Sequence, residues 1–375
     1  MTGRELGIGL VGSGFMGRAH ALAFRSVGGV YDLPARPRLE LLADQGEEAA
    51  RRAADRLGFR RATGDWMALV NDPGVDVVAI ATPNATHRAI ALAAIAGGKA
   101  VYCEKPLATS VADAREMADA ADAAGAITMV GFNYLHNPMI ALAREIVQGG
   151  EIGEVTGFRG IHAEGFMADP MAPFSWRCEP EGGGALADVG SHIISLTRHL
   201  VGGIDAVCGR LDTAYRRRPV AAGSTEMREV AVDDQANALL RLASGATGSL
   251  SASWIASGRT MQLAFELTGS HGSISFTQER FNELRLFKAG RAGGRGGFTH
   301  IVAGPEHGDY AAFCPAPGHQ IGFGDLKTIE VSRLLRSVAD GAAAHPDFRE
   351  ACEVERVADA IRRSAREERW VTVRG

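Results

Sequence analysis

Residues 6–17 read LGIGLVGSGFMG, an apolar run followed at once by three closely spaced glycines. The run at residues 6–11 has the length and composition of a buried parallel strand. The glycines Gly12, Gly14 and Gly17 permit a tight turn, a close approach of backbone to a ligand, and close packing of a helix on the strand. Residues 18–27 predict that helix. The stretch therefore predicts a helix N-terminus whose free N–H groups attract an anion.

A dinucleotide is the ligand that this loop predicts, because GxGxxG stands between a strand and a helix and an acidic residue follows. Phe15 and Met16 lie inside the loop and are included among the cofactor-binding residues. Asp44 closes the next predicted strand, at residues 39–44, where its carboxylate can accept hydrogen bonds from ribose hydroxyls and repel a 2′-phosphate. NAD is therefore favoured over NADP, with a solvated strand end as the alternative role of Asp44. Its distance from the last glycine exceeds the usual ~20 residues, and a loop at residues 28–37 is predicted to account for that.

A lysine follows another apolar strand in the run VYCEKP, residues 101–106. Pro106 ends that strand, because proline lacks a ladder donor. Ligands of an open parallel sheet bind outside the carboxyl ends of its strands. Lys105 can therefore face cofactor and substrate together, with Glu104 beside it at the cofactor.

Residues 81–84 read ATPN and follow the apolar strand at residues 77–80, again at a carboxyl end. Ala81, Thr82, Pro83 and Asn84 are predicted to line the cofactor. Asn84 can equally be the N-cap of a helix over residues 86–96, and both roles can hold together. His87 is grouped with the cofactor residues, and packing or capping in that helix is its alternative role.

The first 131 residues alternate strand and helix, which indicates an α/β fold with a doubly wound parallel sheet covered on both faces. After residue 131 the pattern changes to period-two runs at residues 155–163, 234–242, 247–254 and 261–268. Such runs predict a second domain with a mainly antiparallel sheet. The predicted division is 1–131 and 132–375.

Bulk properties limit the partners. The chain has 375 residues, a formal net charge of -4 and 46% hydrophobic residues, which is typical of a soluble globular protein with no attraction to nucleic acid or membrane. The glycine- and arginine-rich residues 291–297 predict a flexible loop. No apolar run approaches the roughly 20 residues of a membrane span, and the N-terminus lacks signal-peptide features. Five cysteines without CxxC spacing favour a reducing cytoplasm.

A second polar cluster lies at residues 182–192, which read GGGALADVGSH. Asp188 and His192 are four residues apart, so on a helix their side chains share one face. A carboxylate beside an imidazole can orient it for proton exchange. An ordinary surface pair is the alternative.

These motifs together resemble the Gfo/Idh/MocA family of sugar and polyol dehydrogenases. The resemblance spans nearly the whole chain and rests on the glycine loop, ATPN, Glu104-Lys105-Pro106 and the DxGxH pattern from Asp188 to His192. It implies a Rossmann domain followed by an α/β domain with a large open sheet that mediates homodimers or homotetramers. It also implies a catalytic group of Lys105, Asp188 and His192, and it allows a cis Lys105–Pro106 bond. Residues 131–138 read GFNYLHNP where family members often have an arginine-rich stretch, which leaves the substrate open.

The predicted activity is NAD-dependent oxidation of a secondary or anomeric hydroxyl of a cyclic polyol or sugar, such as an inositol or a pyranose. His192 would accept the hydroxyl proton, and Asp188 would orient the His192 ring or hydrogen-bond a neighbouring hydroxyl. Lys105 would stabilise the developing alkoxide, so no metal is needed. Asn133 is predicted at the cofactor mouth. Further substrate contacts are predicted for aromatic and polar side chains, each with a packing or surface role as the alternative: Tyr134, Trp176, Arg177 and His319.

Three other functions fit the same fold. A sugar-sensing regulator would not require the intact set of lysine, aspartate and histidine. An NAD-dependent glycosidase would release an aglycone without net NADH. A reductase with tightly retained NADP is disfavoured by Asp44.

Overall fold

The computed structural model describes residues 4–290 and 296–373. The chain divides into two compact units, one formed by the described parts of Met1–His136 and Ile321–Glu353, the other by those of Asn137–Gln320 and Val354–Gly375. The loop predicted at residues 291–297 falls largely on residues 291–295, which lie outside the described residues. None of the described helices combines the length and apolar character that crossing a bilayer requires.

Strands and helices alternate through the first unit. In chain order they are β1 (Arg4–Val11), α1 (Phe15–Val30), β2 (Ala35–Ala43), α2 (Glu47–Leu57), β3 (Arg61–Thr63), α3 (Trp66–Val70), β4 (Val77–Ile80), α4 (His87–Ala96), β5 (Ala100–Cys103), α5 (Val111–Ala124) and β6 (Thr128–Val130). All neighbouring strands pair in parallel, in the order β3-β2-β1-β4-β5-β6. The order reverses between β1 and β4, which is the switch point where doubly wound sheets bind ligands. The predicted fold class is confirmed for this unit.

The sheet is buried because its strands are apolar on both faces. Every residue of β4 is buried, and so are residues 6–11 of β1. A strand covered by helices on both sides exposes neither face, so its sequence reads as a continuous apolar run and not as an alternation.

The loop predicted at residues 28–37 is wrong. α1 continues through both glycines, and the Tyr31 N–H closes it on the Val27 carbonyl at 2.9 Å. β2 begins already at Ala35, where it pairs with the start of β1. Val27 and Ala35 are both buried in the core, and this burial outweighs the conformational cost of glycine in a helix. Only residues 31–34 connect the two elements.

A late segment completes the first unit. Helix α8, labelled in chain order, spans Phe323–Asp340 and packs on α1 and β2. Although it lies late in the chain, this helix belongs to the first unit and not to the second. Leu334 and Leu335 of α8 lie in the same hydrophobic cluster as β1 and α1. The predicted division into two functional domains, residues 1–131 and 132–375, stays a prediction.

The second unit is built on one large sheet. Its elements are α6 (Pro138–Gln148), β7 (Val155–Ala163), α7 (Ser191–Val201), β8 (Ile204–Asp212), β9 (Arg217–Pro219), β10 (Met227–Glu229), β11 (Gln235–Leu242), β12 (Thr247–Ser253), β13 (Gln262–Gly269), β14 (Gly272–Thr277), β15 (Glu283–Lys288), β16 (Thr299–Val302), most of α9 (Phe348–Glu367) and β17 (Val371–Thr372). The sheet order is β16-β15-β14-β13-β7-β12-β11-β8-β17. β7 and β12 are parallel and the other neighbours are antiparallel. The predicted, mainly antiparallel sheet is confirmed.

Helix α7 lies close against this sheet because β7 has a glycine beneath it. A Cβ atom on Gly160 would stand 2.8 Å from the side chains of Ile193 and Phe158. Glycine therefore lets the helix approach the strand directly, and α7 contacts β7, β12 and β13.

Replacing Gly28 by alanine tests the corrected boundary of α1. Gly28 is exposed, and an added Cβ would meet no atom within 4 Å. Alanine restricts the unfolded chain and favours helix, so we expect the free energy of unfolding to rise by about 0.5–1 kcal/mol. Urea titration followed by circular dichroism measures the change. A lower stability of Gly28→Ala would mean that residue 28 is not helical.

Candidate active site

The predicted cofactor motifs lie along one edge of the parallel sheet. Each motif begins with the residue that follows its strand, and backbone hydrogen bonds of 2.8 to 2.9 Å tie that residue to the neighbouring strand: Gly12 N to Ala43 O, Ala81 N to Val11 O, Glu104 N to Ile80 O, and Gly131 N to Cys103 O. Strands of a sheet are spaced by about 4.8 Å. The carboxyl ends of β1, β4, β5 and β6 therefore present the four motifs side by side.

Gly12 and Gly17 have the predicted turn and packing roles, and Gly14 leaves the space that its predicted role beside a ligand requires. Gly12 has φ +94°, and a Cβ there would stand 2.6 Å from the Ala81 carbonyl oxygen. A Cβ on Gly17 would overlap the Gly12 carbonyl, so α1 packs directly on the turn. Gly14 faces open space, and as the N-cap of α1 it has no side chain to occupy the first N–H groups of the helix. This geometry fits a pyrophosphate at the helix N-terminus.

Asp44 is fastened to the glycine loop. Its Oδ2 accepts hydrogen bonds from the Ser13 N–H at 3.0 Å and from the Ser13 hydroxyl, and its Oδ1 accepts one from the Gln45 N–H at 2.7 Å. The carboxylate is half-buried at the end of β2. Phe15, at the start of α1, is 66% exposed and stacks on Phe323 with ring centroids 5.8 Å apart.

The ATPN segment is a turn followed by a short helix. Asn84 is buried and begins a 3₁₀ turn, Asn84–Thr86, while the N-cap of α4 is Thr86. The prediction that Asn84 caps α4 is therefore wrong, because Asn84 already belongs to the preceding turn. The Thr86 hydroxyl donates to the Pro83 carbonyl at 2.8 Å and lies 2.7 Å from the Thr82 hydroxyl, and these contacts hold the turn together.

His87 connects two of the motif loops. Its buried ring has Nε2 2.9 Å from the Thr82 carbonyl oxygen and Nδ1 3.1 Å from the Pro106 carbonyl oxygen. Burial lowers the pKa of His87, although both carbonyl oxygens favour the protonated form. Both ring nitrogens face protein atoms, so these contacts support a positioning role. Its cofactor-binding role stays a prediction.

Lys105 is half-buried, and its backbone N–H donates to Glu104 Oε2 at 3.3 Å. The Lys105–Pro106 peptide bond is cis, the form that the family resemblance allowed.

Glu104 lies inside a buried polar cluster that the sequence did not predict. Its Oε1 accepts hydrogen bonds from Lys327 Nζ of α8 at 2.8 Å and from His20 Nε2 of α1 at 2.6 Å. Burial by itself raises the pKa of the Glu104 carboxyl, but the Lys327 ammonium and the His20 ring hold it well below its ordinary value. A Cβ on Gly131 would stand 2.8 Å from the same carboxylate, so glycine leaves room for it.

Lys327 has two further partners. It donates to Glu330 Oε2 at 2.9 Å and to the Tyr102 hydroxyl at 3.0 Å, and that hydroxyl in turn donates to Glu330. Burial lowers the pKa of Lys327, but the charges of Glu104 and Glu330 raise it above its ordinary value. Burial raises the pKa of Glu330, although Lys327 opposes this. Glu104 is therefore the more acidic of the two carboxyl groups.

Asn133 and Tyr134 follow β6 in a 3₁₀ turn, and both are buried. In the described part of the chain, Asn133 Nδ2 has no hydrogen-bond partner. Buried amide groups are almost always hydrogen-bonded, so a donor left over at the carboxyl end of β6 is compatible with a bound ligand.

In the second unit Asp188 and His192 belong to one continuous helical segment. Residues Leu186–Gly190 form a π-helical turn, and α7 continues from Ser191. The helix is thus present, but Asp188 lies in its widened first turn. Both side chains are nearly buried, at 6% and 9% exposure. π-helical turns occur frequently at functional sites.

A fixed arginine accompanies Asp188. Arg177 donates from Nε to Asp188 Oδ2 at 2.8 Å, and its guanidinium lies 4.4 Å from the ring centroid of Trp176 and 5.5 Å from that of Phe166. The Phe166 and Trp176 rings are 45% and 38% exposed. Charge and stacking together orient the guanidinium. Phe166 was missed because it stands alone in a loop sequence.

The start of the π-turn is fixed by Asp233. Its Oδ2 accepts a hydrogen bond from the Leu186 N–H at 2.7 Å, and a Cβ on Gly184 would overlap its Oδ1. Burial raises the pKa of Asp233 to about 6, although the Leu186 N–H opposes the rise. The glycines before Asp188 thus serve packing within the protein.

The remaining predicted residue, His319, is exposed in the loop before α8. The buried Tyr310 hydroxyl holds this loop by donating to the Ala316 carbonyl at 3.2 Å and accepting from the Gln320 N–H at 3.1 Å. Lys105 lies in the first unit and Asp188 and His192 lie in the second, and their action on one substrate stays a prediction.

Comparisons with known proteins agree with this geometry. Residues 6–132 match the model of an oxidoreductase family with an NAD-binding Rossmann fold, and residues 140–275 match the GFO/IDH/MocA C-terminal domain. Levoglucosan dehydrogenase of Pseudarthrobacter phenanthrenivorans is 38% identical, over 99% of this chain and 98% of that protein.

Two solved structures cover nearly the same length. A levoglucosan dehydrogenase in complex with NADH and levoglucosan is 38% identical with a TM-score of 0.96, covering 99% of this chain and 100% of that one. An NAD binding oxidoreductase from Klebsiella pneumoniae is 45% identical with a TM-score of 0.94, covering 99% of both chains. The chain belongs to the Gfo/Idh/MocA family of oxidoreductases, and its first unit is the family's NAD-binding Rossmann fold.

Proposed function

We propose that the protein is an NAD-dependent dehydrogenase that oxidises a ring hydroxyl or the anomeric hydroxyl of a sugar or cyclic polyol. The observation that carries the proposal is the alignment of the glycine loop, the ATPN turn and Glu104-Lys105 along one edge of the parallel sheet. The similarity to levoglucosan dehydrogenase over 99% of the chain supports it.

The chemistry divides between three side chains. NAD, when bound, accepts the hydride from the carbinol carbon. His192 accepts the hydroxyl proton at a ring nitrogen. Asp188, whose Oδ2 is held by Arg177, directs its remaining lone pairs to His192 or to a neighbouring substrate hydroxyl. The Lys105 ammonium stabilises the negative charge that develops on the substrate oxygen.

The substrate proposal is a pyranose, an anhydro sugar or an inositol. The exposed faces of Trp176 and Phe166 offer apolar surface to the C–H face of such a ring, and Arg177 and Asp188 offer polar groups to its hydroxyls. Tyr134 and His319 are further proposed contacts. Levoglucosan dehydrogenase, a relative of similar length, has been solved in complex with NADH and levoglucosan and in complex with NADH and L-sorbose.

NAD is the proposed cofactor in preference to NADP. The Asp44 carboxylate stands at the end of β2 beside the glycine loop, where it would accept hydrogen bonds from the adenosine ribose and repel a phosphate on that ribose. Phe15, Met16, Asn84 and Asn133 complete the proposed cofactor contacts.

We also propose that the second-unit sheet mediates a homodimer or homotetramer. The side chains of Leu239 on β11 and Trp370 before β17 are 55% and 47% exposed, and they line the same sheet surface as Arg159 and Glu266. Large exposed apolar side chains on a sheet face are typical of an interface. A cytoplasmic location stays a prediction.

His192→Ala tests the proposed activity. Wild-type protein is screened for NADH formation at 340 nm with inositols, hexoses and anhydro sugars, using NAD and NADP in parallel. With the best substrate, His192→Ala should lower kcat by roughly 10²-fold or more, because proton removal loses its acceptor. Its Kd for NAD should stay within about twofold of the wild-type value.

His199→Ala is the matched control, because His199 lies on the same helix two turns further and is half-buried. It should keep wild-type turnover. Near-normal kcat in His192→Ala would contradict the assigned role. Absence of NADH with every substrate, together with release of an aglycone from glycosides, would instead support the glycosidase alternative.

Asp44→Ala tests the cofactor preference. Loss of the carboxylate should raise the KM for NAD by about 10-fold, the order of a charged hydrogen bond, and lower the KM for NADP by removing repulsion. Ser13→Ala is the control, because it removes the hydroxyl bond to Asp44 and keeps the carboxylate. An unchanged ratio of kcat/KM for the two cofactors in Asp44→Ala would refute the assignment.

A further inference from the structure

His162 on β7 lies beneath the helical segment that carries Asp188 and His192. It is buried, with Nδ1 2.8 Å from the Val189 carbonyl oxygen and Nε2 2.8 Å from Glu164 Oε1. Its ring centroid is 5.4 Å from that of His192, with 54° between the ring planes. The ring therefore contacts both the backbone of the π-helical turn and the proposed proton acceptor.

The sequence places His162 there through the alternation of β7. Phe158, Gly160 and His162 occupy the buried positions of the strand, and Glu164 follows in the same phase two residues later. Gly160 lets α7 approach the strand, which leaves the His162 ring under the turn at residues 186–190.

The contact with Val189 fixes the π-helical turn. In a widened turn the backbone carbonyls lose the regular i to i+4 pattern, so side-chain donors can fill the open positions. Val189 stands directly after Asp188, and a donor on its carbonyl oxygen restrains the Val189–Gly190 peptide, which lies between Asp188 and His192. The restraint is rigid, because His162 is packed in the sheet.

Both ring nitrogens of His162 face hydrogen-bond acceptors. A neutral imidazole has one N–H and can satisfy only one acceptor. Satisfying both requires a second proton, held between His162 and the Glu164 carboxylate. The residues that pair with His162 across the sheet are uncharged: Ala252 of β12 and Leu263 of β13. His192 of α7 faces the ring, and Asp188, bonded to Arg177, stands in the π-helical turn whose Val189 carbonyl the ring contacts.

We propose that His162 and Glu164 form a positioning pair for His192, which shares one extra proton and holds the Val189 carbonyl and the His192 ring in place for proton transfer. Neither residue contacts the substrate. With the shared proton, positive charge on the His162 ring stands 5.4 Å from the His192 ring, measured between centroids, and this favours the neutral, proton-accepting form of His192. This inference rests on the proposed function, because it assumes that His192 is the proton acceptor.

Glu164→Gln is the decisive variant. A glutamine side chain can donate to His162 Nε2, so a neutral imidazole satisfies both contacts and the extra proton is lost. We expect kcat to fall by about 10-fold while the Kd for NAD stays within about twofold, and the acid limb of the kcat/KM profile to move to higher pH by on the order of half a unit. Glu151→Gln, on the exposed ion pair with Lys288 of the same sheet, is the control and should change neither.

His162 variants separate positioning from folding. His162→Gln keeps an N–H for the Val189 carbonyl and should retain more of kcat than His162→Leu, which has no donor. Thermal unfolding of each variant identifies losses that follow from stability alone. If His162→Leu does not fold, the kcat values of Glu164→Gln and His162→Gln are compared with that of the wild type instead. Wild-type kcat and pH profile in Glu164→Gln would overturn the inference.

A second readout is independent of turnover. In the full chain with NAD, the ring resonances of His192, assigned by their loss in His192→Ala, are followed against pH by NMR. We expect the His192 titration to move to higher pH in Glu164→Gln and to stay unchanged in Glu151→Gln. An unchanged titration in Glu164→Gln would contradict it. Failure to form NADH with any substrate would refute the proposed function, and the titration would still decide the present inference.

Discussion

The Lys327 ammonium, fully buried between the carboxylates of Glu104 and Glu330, is the interaction on which the first unit's site depends. Removing three charged groups from water costs several kcal/mol for each ion, and the mutual attraction offsets this only with complete hydrogen bonding. Most of that bonding comes from Tyr102, which links Lys327 to Glu330, and from His20, which bonds Glu104. Glu330 Oε1 lies 3.7 Å from His136 Nε2, beyond hydrogen-bond distance. The cluster fixes Glu104, and Glu104 is bonded to the backbone of Lys105.

A single geometry follows for the motifs around this cluster. Backbone ladder bonds set the spacing of the glycine loop, the ATPN turn and Glu104, and the His87 ring holds the ATPN turn to the loop after Lys105. In the second unit, side-chain hydrogen bonds hold the proposed catalytic segment in place. Asp233 fixes the start of the π-helical turn, Arg177 holds the Asp188 carboxylate, and His162 bonds the middle of the turn. Preorganised groups of this kind can stabilise developing charge without reorganisation.

The sequence predicted the elements that leave a local pattern. The parallel sheet, the glycine loop and the mainly antiparallel sheet were recognisable, because continuous apolar runs, glycine spacing and period-two alternation are local properties. The C-terminal boundary of α1 was missed, because Gly28 and Gly29 usually mark turns and only the hydrogen bond from the Tyr31 N–H to the Val27 carbonyl shows that the helix continues. Strands β3, β9 and β10 have three residues each, too few for any periodicity.

Hydrogen-bond partners that are distant along the chain could not be predicted from local sequence patterns. Lys327 is 223 residues from Glu104 along the chain, and a lysine in an amphipathic helix is most simply read as exposed. A signal for His162 did exist, since it stands in the buried phase of the alternating strand β7, but its two acceptors are known only from the folded chain. Buried polar side chains are satisfied by tertiary contacts, so the motifs could be predicted and their supports could not.

The most direct measurement is a double-mutant cycle with Glu104→Gln, Lys327→Met and the combined variant, followed by urea unfolding and by NADH formation. The account predicts that each single change lowers the free energy of unfolding by about 3–5 kcal/mol and reduces turnover, and that the combined loss is clearly smaller than the sum. Additive losses, or single variants with wild-type stability and turnover, would contradict it.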